Sequence, residues 1–389
     1  MRERQYYLIS LSGGGYRAAL FHAGVLRAFH AFGLFREGAL ERDIIVNSVS
    51  GGALPSILWR RYMMSRESYT LEDSWPENAL LDLVCSTPIL GGEWNWILRG
   101  TGVWARQRWE AFLQNWWDKH PLKYWSYGDG GSPIFLIETL EYLSGKIWLY
   151  DGRQFAQASR EYFKSGIVFL SHECSPMTAV AAATAFPGMF RGYLFKVQGD
   201  DHLLKDAGII DNLGVLPLLE LIKRKPNDRS RLGQIASWFL SDAGRPMAVS
   251  LRTGVPIFGQ TKTVPKLKLS DRLFRLTGDI SQPHFAAALT DLLGDYVDVP
   301  VVAVGLDQVF RLETPWMLPT HPENWTPAQV KTSLCGMSRE LAISIMSAGA
   351  QSASFAIMDR KSLAYPNCKQ LDSEKVKEFF SALLTERGT

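Results

Sequence analysis

Cysteine is scarce in these 389 residues: Cys85, Cys174, Cys335 and Cys368 are far apart, with no Cys-x-x-Cys pair and no metal-ligand spacing. That excludes a disulfide framework and a zinc module, and leaves reduced structural thiols as the reading. Excess charge is also lacking. With 42 basic and 39 acidic residues the formal charge is +3, too small for nucleic acid to be the main partner of a chain this long. No apolar run approaches the roughly 20 residues that a membrane span needs. Met1-Arg2-Glu3-Arg4-Gln5 runs directly into an apolar segment, with no room for a signal peptide. The expectation is therefore a cytoplasmic protein, with peripheral membrane contact left open. No internal repeat and no low-complexity segment appears. What is present, 46% apolar and 21% charged residues, belongs to a globular chain long enough to bury a substantial core.

The chain organises itself around Ile44-Ile45-Val46-Asn47-Ser48-Val49-Ser50-Gly51-Gly52. Its β-branched apolar run predicts a buried strand, and Ala53 to Trp59 predicts a helix in which Pro55 sits within the first turn. A serine on a sharp strand-to-helix turn is a nucleophile elbow in outline: the hydroxyl is lifted from the sheet while the helix N-terminus favours negative charge. Turn-forming Ser and Gly alone give the same string, so the reading needs partners.

One partner lies upstream. Tyr6 to Leu11 predicts the first strand, Ser12-Gly13-Gly14-Gly15-Tyr16-Arg17 follows, and Ala18, His22, Val25, Leu26 and Phe29 mark one face of a helix that Gly33 stops. Three glycines there let the backbone approach a ligand and aim N–H groups at an anion. A dinucleotide cradle would want Gly-x-Gly-x-x-Gly, whose last glycine is missing, and no Gly-Lys-Ser/Thr follows to make a Walker loop. An oxyanion hole for acyl transfer and a plain tight turn remain.

Further along, eight of the 13 Trp crowd between residues 75 and 130, with Trp109, Phe112, Leu113 and Trp116 on one helical face. This stretch is expected to be an inserted cap. Its rings could fill the core or, with Arg99, Arg106, Arg108, Lys119 and Lys123, meet a membrane; Trp116 and Trp117 are the pair expected to dock. Beyond it, Ile134 to Leu143 predicts a helix, Lys146 to Tyr150 and Ile167 to Leu170 predict strands, and Ser175-Pro176 caps an Ala-rich helix. His202-Leu203-Leu204-Lys205-Asp206-Ala207-Gly208-Ile209-Ile210-Asp211-Asn212-Leu213-Gly214 then reads as a strand end turning through an acidic, Gly-containing loop, and Leu216 to Ile222 begins the next helix. A basic loop over 223–231 and a Lys/Arg-rich stretch over 261–275 follow. Met247 to Leu251 and Val299 to Val304 predict strands, and a Ser373-capped helix with Val376, Phe379, Phe380, Leu383 and Leu384 on one side closes the chain.

Taken together, these pieces resemble the patatin and cytosolic phospholipase A2 group of serine acylhydrolases. Ser12-Gly13-Gly14-Gly15-Tyr16-Arg17-Ala18 is similar to that group's oxyanion motif, Ser50 to its elbow serine, Asp206-Ala207-Gly208 to its Asp-Gly-Gly/Ala motif, and Thr184-Ala185-Phe186-Pro187-Gly188-Met189-Phe190 to the segment preceding that Asp. The likeness spans residues 8 to about 215 and departs at Ser48 and Ala207, where the group has Gly, implying a looser turn and less backbone freedom. It implies one α/β domain over 1–389, a patatin-like three-layer fold with a mainly parallel central sheet, helices on both faces, and the 75–130 stretch as a cap. It implies hydrolysis of lipid acyl esters, phospholipase A type, by a Ser50–Asp206 dyad that needs no His, no metal and no cofactor. Gly13, Gly14, Gly15 and Arg17 would form the oxyanion loop, the N–H groups of Gly14 and Gly15 binding the charge and Arg17 bracing the loop or meeting a phosphate. The expected partner is a phospholipid or other lipid ester. An esterase or thioesterase on smaller acyl groups and a non-catalytic lipid binder are the alternatives. Asp211 and the second Asp-Ala-Gly string at Asp242 are rivals for the base, and a Ser-His-Asp triad would draw on His22, His30, His120, His172, His202, His284 or His321.

Overall fold

A computed structural model of the chain describes residues 5–35, 42–64, 73–87, 103–120, 133–158, 171–187, 190–218, 235–243, 248–249, 256–257, 301–305, 336–359 and 373–385. The sequence readings at 167–170, 219–231 and 261–275 lie outside them.

The fold is mixed α/β: a central sheet flanked by helices. Five strands at its centre run parallel, in the order β12 (Val301–Gly305), β9 (Ile235–Asp242), β1 (Gln5–Leu11), β2 (Arg42–Val49), β3 (Ile134–Glu141). Leu8, Ile9, Ser10 and Leu11 are all without exposed surface, so consecutive side chains are covered and both faces of the sheet centre are packed. Beyond β3 the sheet continues antiparallel through β4 (Ile147–Tyr150), β5 (Gln154–Gln157) and β6 (Ser171–Glu173). The parallel centre matches the expectation; the antiparallel wing was not foreseen, and neither was β9, whose serines dilute its apolar signal. The strand expected near Met247 is β10 (Ala248–Val249), which pairs with β11 (Pro256–Ile257) apart from the main sheet.

One expectation fails outright. Ile134–Glu141 is a strand, not a helix: seven of its eight residues are buried because β2 and β4 take its two edges. Apolar residues on both faces of a central strand look like a helical stripe when read along the chain.

Helix α1 (Gly15–Ala31) is buried along nearly its whole length against α6 (Arg339–Asp359). Gly24 and Gly349 let the two backbones touch, since a Cβ at either would strike the partner's carbonyl at Met346 or Phe21. The chain continues from β2 into α2 (Ala53–Met64), α3 (Trp75–Ser86) and α4 (Val103–Lys119), and α7 (Ser373–Thr385) is the last described helix. Arg27 on α1 and Glu77 on α3 form a buried ion pair with Nε–Oε1 at 2.8 Å, and the guanidinium lies 4.4 Å from the Phe379 ring of α7. One apolar cluster runs from Tyr7 to Leu383.

Of the Trp-rich stretch, Trp109, Trp116 and Trp117 belong to that cluster and Trp75 packs against it, while Trp94, Trp96 and Trp125 lie outside the described residues. Trp109, Trp116 and Trp117 are 3%, 3% and 6% exposed. Trp116 Nε1 donates to Ala79 O at 2.8 Å, and Arg61 stacks on Trp117 at 4.0 Å. The expectation that Trp116 and Trp117 dock on a membrane is therefore corrected: the described rings of α4 are turned into the core, and the indole N–H groups of Trp109 and Trp116 are hydrogen-bonded there. Among the described residues no helix is long and apolar enough to cross a membrane.

Candidate active site

The site is set by how three strands share β3. Thr139 pairs with Trp148 of β4 on one edge and with Asp206 of β8 (Asp200–Asp206) on the other. Glu138, one residue earlier, pairs across that second edge with Val49 of β2. Parallel β2 and antiparallel β8 therefore approach along the same edge from opposite ends, and their last residues stop at adjacent positions. Ser50 leaves β2 where Asp206 leaves β8. Ser50 Oγ donates to Asp206 Oδ2 at 2.6 Å.

The elbow is strained. Ser50 has φ +49°, a left-handed conformation costing about 1–2 kcal/mol for a residue with a Cβ. A 3₁₀ turn over Ser50–Gly52 leads straight into α2. Gly51 must be glycine, because a Cβ there would collide with the backbone of Gly15. Elbow and glycine loop thus touch backbone to backbone. Ser48 produces no looseness: it lies buried within β2, and its hydroxyl donates to Leu136 O on β3 at 2.8 Å. Ala207 likewise loses nothing, since among the described non-glycine residues only Ser50 and Gln198 have positive φ.

Asp206 is buried, and its backbone N–H donates to Ala185 O at 3.2 Å. Its Oδ1 accepts the Gly208 N–H at 2.8 Å, leaving Oδ2 for the serine. Burial pushes its pKa up to about 6, against the downward pull of the Ser50 and Gly208 hydrogen bonds. Relative to its ordinary 3.8, the carboxylate is a base stronger by roughly 3 kcal/mol.

The glycine loop divides its N–H groups. Gly13 donates to Asn212 O at 2.9 Å, so that group is already engaged. Gly14 is followed by helix α1, whose first N–H groups have no intrahelical acceptor, and among the described residues nothing accepts from Gly14 or Gly15. Arg17 is 2% exposed, and its Nη2 lies 3.9 Å from where a Gly14 Cβ would stand. The guanidinium is underneath the loop and turned away from solvent.

Two residues went unread. Asn212 places its side-chain oxygen 2.6 Å from the position of a Gly13 Cβ, which itself lies 3.1 Å from Ser50 Cβ; the only hint was its place in an acidic, glycine-containing loop. Glu138 is fully buried directly below the dyad, where Asn47 Nδ2 donates to its Oε2 at 2.7 Å. It was hidden by the misreading of β3.

The rivals separate by position. Asp211 is buried near Glu138 with Oδ2 accepting the Leu216 N–H at 2.6 Å, and Asp242 ends β9. Among the histidines, His284 and His321 lie outside the described residues, and His22 is wholly buried against Ser12 of the glycine loop. Its Nε2 lies 2.9 Å from Ser12 O and its Nδ1 2.9 Å from Ser241 Oγ. Burial drops its pKa to about 3, so it is neutral and its ring nitrogens are taken. Among the described residues no group of three or more His, Cys, Asp or Glu is placed to hold a metal ion.

No family model matches this chain, and no curated protein matches it. Twelve chains of solved structures do. One is human GIVD cytosolic phospholipase A2 in complex with a methyl gamma-linolenyl fluorophosphonate inhibitor and terbium chloride, similar at a TM-score of 0.41 and 12% identity. The match covers 97% of this chain and spans 60% of that one.

Proposed function

We propose that the chain is a serine acylhydrolase acting on lipid acyl esters, of phospholipase A type, through a Ser50–Asp206 dyad. The observation that carries this is the 2.6 Å hydrogen bond from Ser50 Oγ to Asp206 Oδ2 at a strained elbow. A carboxylate bonded directly to the nucleophile leaves no place for a histidine between them, and its raised pKa supports the role of base at neutral pH.

In the reaction, Ser50 Oγ attacks the ester carbonyl as Asp206 takes its proton. The N–H groups of Gly14 and Gly15 stabilise the oxyanion, with the N-terminus of α1 adding its field. Asp206 returns the proton to the departing alcohol, leaving acyl-Ser50. Water, deprotonated by the same carboxylate, then frees the acid. Arg17 braces the loop from beneath rather than reading a phosphate, because its guanidinium is buried. The assignment of lipid esters rests on the ordered resemblance of the four sequence motifs.

The test is a fluorophosphonate probe followed by peptide mass spectrometry, and then turnover on a panel of phospholipids and short p-nitrophenyl esters. Expected is one adduct, on Ser50, absent from Ser50→Ala, together with release of fatty acid from phospholipid. An unlabelled but folded protein would defeat the hydrolase reading. Turnover confined to short esters would defeat the lipid assignment alone.

A further inference from the structure

Beneath the dyad lie two more buried acids, 0% and 1% exposed, that the reaction above does not use: Glu138 and Asp211. Their carboxyl groups lie within reach of each other, each affecting the other's protonation. Counting donors shows what that contact needs. Asn47 spends its amide N–H groups on Glu138 Oε2 at 2.7 Å and Gly214 O at 2.9 Å, so Oε2 is an acceptor. Asp211 Oδ2 is an acceptor as well, taking the Leu216 N–H. The remaining oxygens, Glu138 Oε1 and Asp211 Oδ1, are buried and receive no N–H or O–H from any described group. Two ionised carboxylates brought together in a buried site repel each other and leave these oxygens without a donor. One proton between them satisfies both.

We propose, building on the acylhydrolase reading, that Glu138 stays protonated and donates to the Asp211 carboxylate, and that this acid pair is a positioning device for the base loop. The loop it holds does several things. Asp211 N–H and Ile210 N–H both donate to Ala207 O at 2.9 Å, folding the segment directly after Asp206. Gly208 in that segment holds Asp206 Oδ1, and Asn212 O holds the glycine loop through Gly13. Glu138 is thus the strand residue to which base and oxyanion loops are jointly fastened. Its neutrality also matters electrically, because an ionised Glu138 would put a third negative charge beside Asp206 and Asp211.

The groups meeting Glu138 are Asp211 from the loop, Asp206 from β8 and Asn47 from β2; no cation is among them. Burial first, and Asp211 second, hold its pKa well above the ordinary 4.5. Its folded value being raised, its contribution to stability is complete below about 4.5 and declines as pH rises toward the folded value.

The experiment compares Glu138→Gln, Glu138→Asp and Glu138→Leu in the full chain. Gln reproduces every bond of the protonated acid; Asp keeps the carboxyl group but is too short to reach; Leu leaves Asp211 a buried unpaired charge. Glu138→Leu and Glu138→Asp are expected to lose about tenfold or more in the rate of fluorophosphonate labelling, and Glu138→Gln to restore most of it. The parent at pH 7 should show an infrared carbonyl band of an un-ionised carboxylic acid that disappears in Glu138→Gln. Melting temperature in Glu138→Gln should fall less steeply with rising pH than in the parent. A Gln variant as slow as Asp, a Gln variant that fails to fold, or a parent without that band overturns the proposal. If the parent is never labelled, the hydrolase reading fails, while the infrared and melting measurements still decide the acid pair.

Discussion

The end of the sheet where β2 and β8 meet and the Trp-rich helices α3 and α4 both gave loud sequence signals, and they differ in what the fold puts around them. At the sheet end, small residues and acids sit where no stability argument would put them. Ser50 is left-handed, Asp206 is a buried carboxyl with a pKa near 6, and Gly51 tolerates no Cβ. In α4, by contrast, each described ring satisfies ordinary packing: Trp109 and Trp116 are buried with their indole N–H groups bonded to Thr184 Oγ1 and Ala79 O. Local strain and costly burial mark function; a dense run of apolar rings marks a core until shown otherwise. The two regions are nonetheless joined. Trp109 fastens α4 to Thr184, the neighbour of Ala185, whose carbonyl holds the Asp206 N–H.

The sharpest way to break the comparison is at the dyad. Ser50→Ala and Asp206→Asn should each lower kcat/KM by on the order of 10³-fold or more, with far-UV spectra and melting midpoints close to those of the parent. Alanine keeps the same Cβ at the same backbone angle and Asn is nearly isosteric with Asp, so neither change should harm the fold. A large loss of stability in both would mean that this end of the sheet is structural too.

Trp116→Ala should do the opposite, costing roughly 3–5 kcal/mol in stability by denaturant unfolding, while short-ester turnover below the melt remains. Vesicle binding is the complementary measurement: if Trp116→Ala keeps the parent's stability and loses binding to anionic vesicles, the ring faces lipid and the correction made above is wrong.

How much could be read from residues alone follows from the same contrast. The elbow, the glycine loop and Asp206 were legible because each sits at a strand end with a turn-making neighbour, a local pattern that needs no knowledge of distant partners. Glu138 was not, because its meaning depends on Val49 and Asp206 arriving on the same edge of β3, which no periodicity within 134–141 encodes. Asn212 went unread, and Gly13 was counted with the oxyanion loop, for a related reason: only the fold reveals that the Asn212 carbonyl takes the Gly13 N–H. The parallel order of β12, β9, β1, β2 and β3 brings residues 301–305 beside 235–242, a long-range pairing that hydrophobic patterns do not specify.

A pH profile sharpens the comparison further. Asp206 must be ionised to act as a base, so kcat/KM should fall about tenfold per unit as pH drops below about 6. Stability runs the other way over the same range. With a folded pKa raised from 3.8, the contribution of Asp206 is complete below 3.8 and is lost as pH rises through about 6. Activity and stability with opposite slopes, both abolished in Asp206→Asn, are the expected outcome. An acid limb centred near 4 would mean the carboxyl is hydrated and is no better a base than any surface Asp.

The smallest effect is expected at Ser48, where the resembled family carries glycine. Inside β2 the residue has no need of glycine's freedom, and its hydroxyl bonds the β3 carbonyl of Leu136 at 2.8 Å. Ser48→Gly should therefore cost about 1–2 kcal/mol of stability, from one buried hydrogen bond and the added entropy of the unfolded chain. The labelling rate of Ser50 should change by less than about threefold, since the elbow's φ is set by Gly51 against Gly15 rather than by Ser48. A rate rising tenfold in Ser48→Gly would show that the serine distorts the turn after all, and that this chain works with an elbow looser than its geometry indicates.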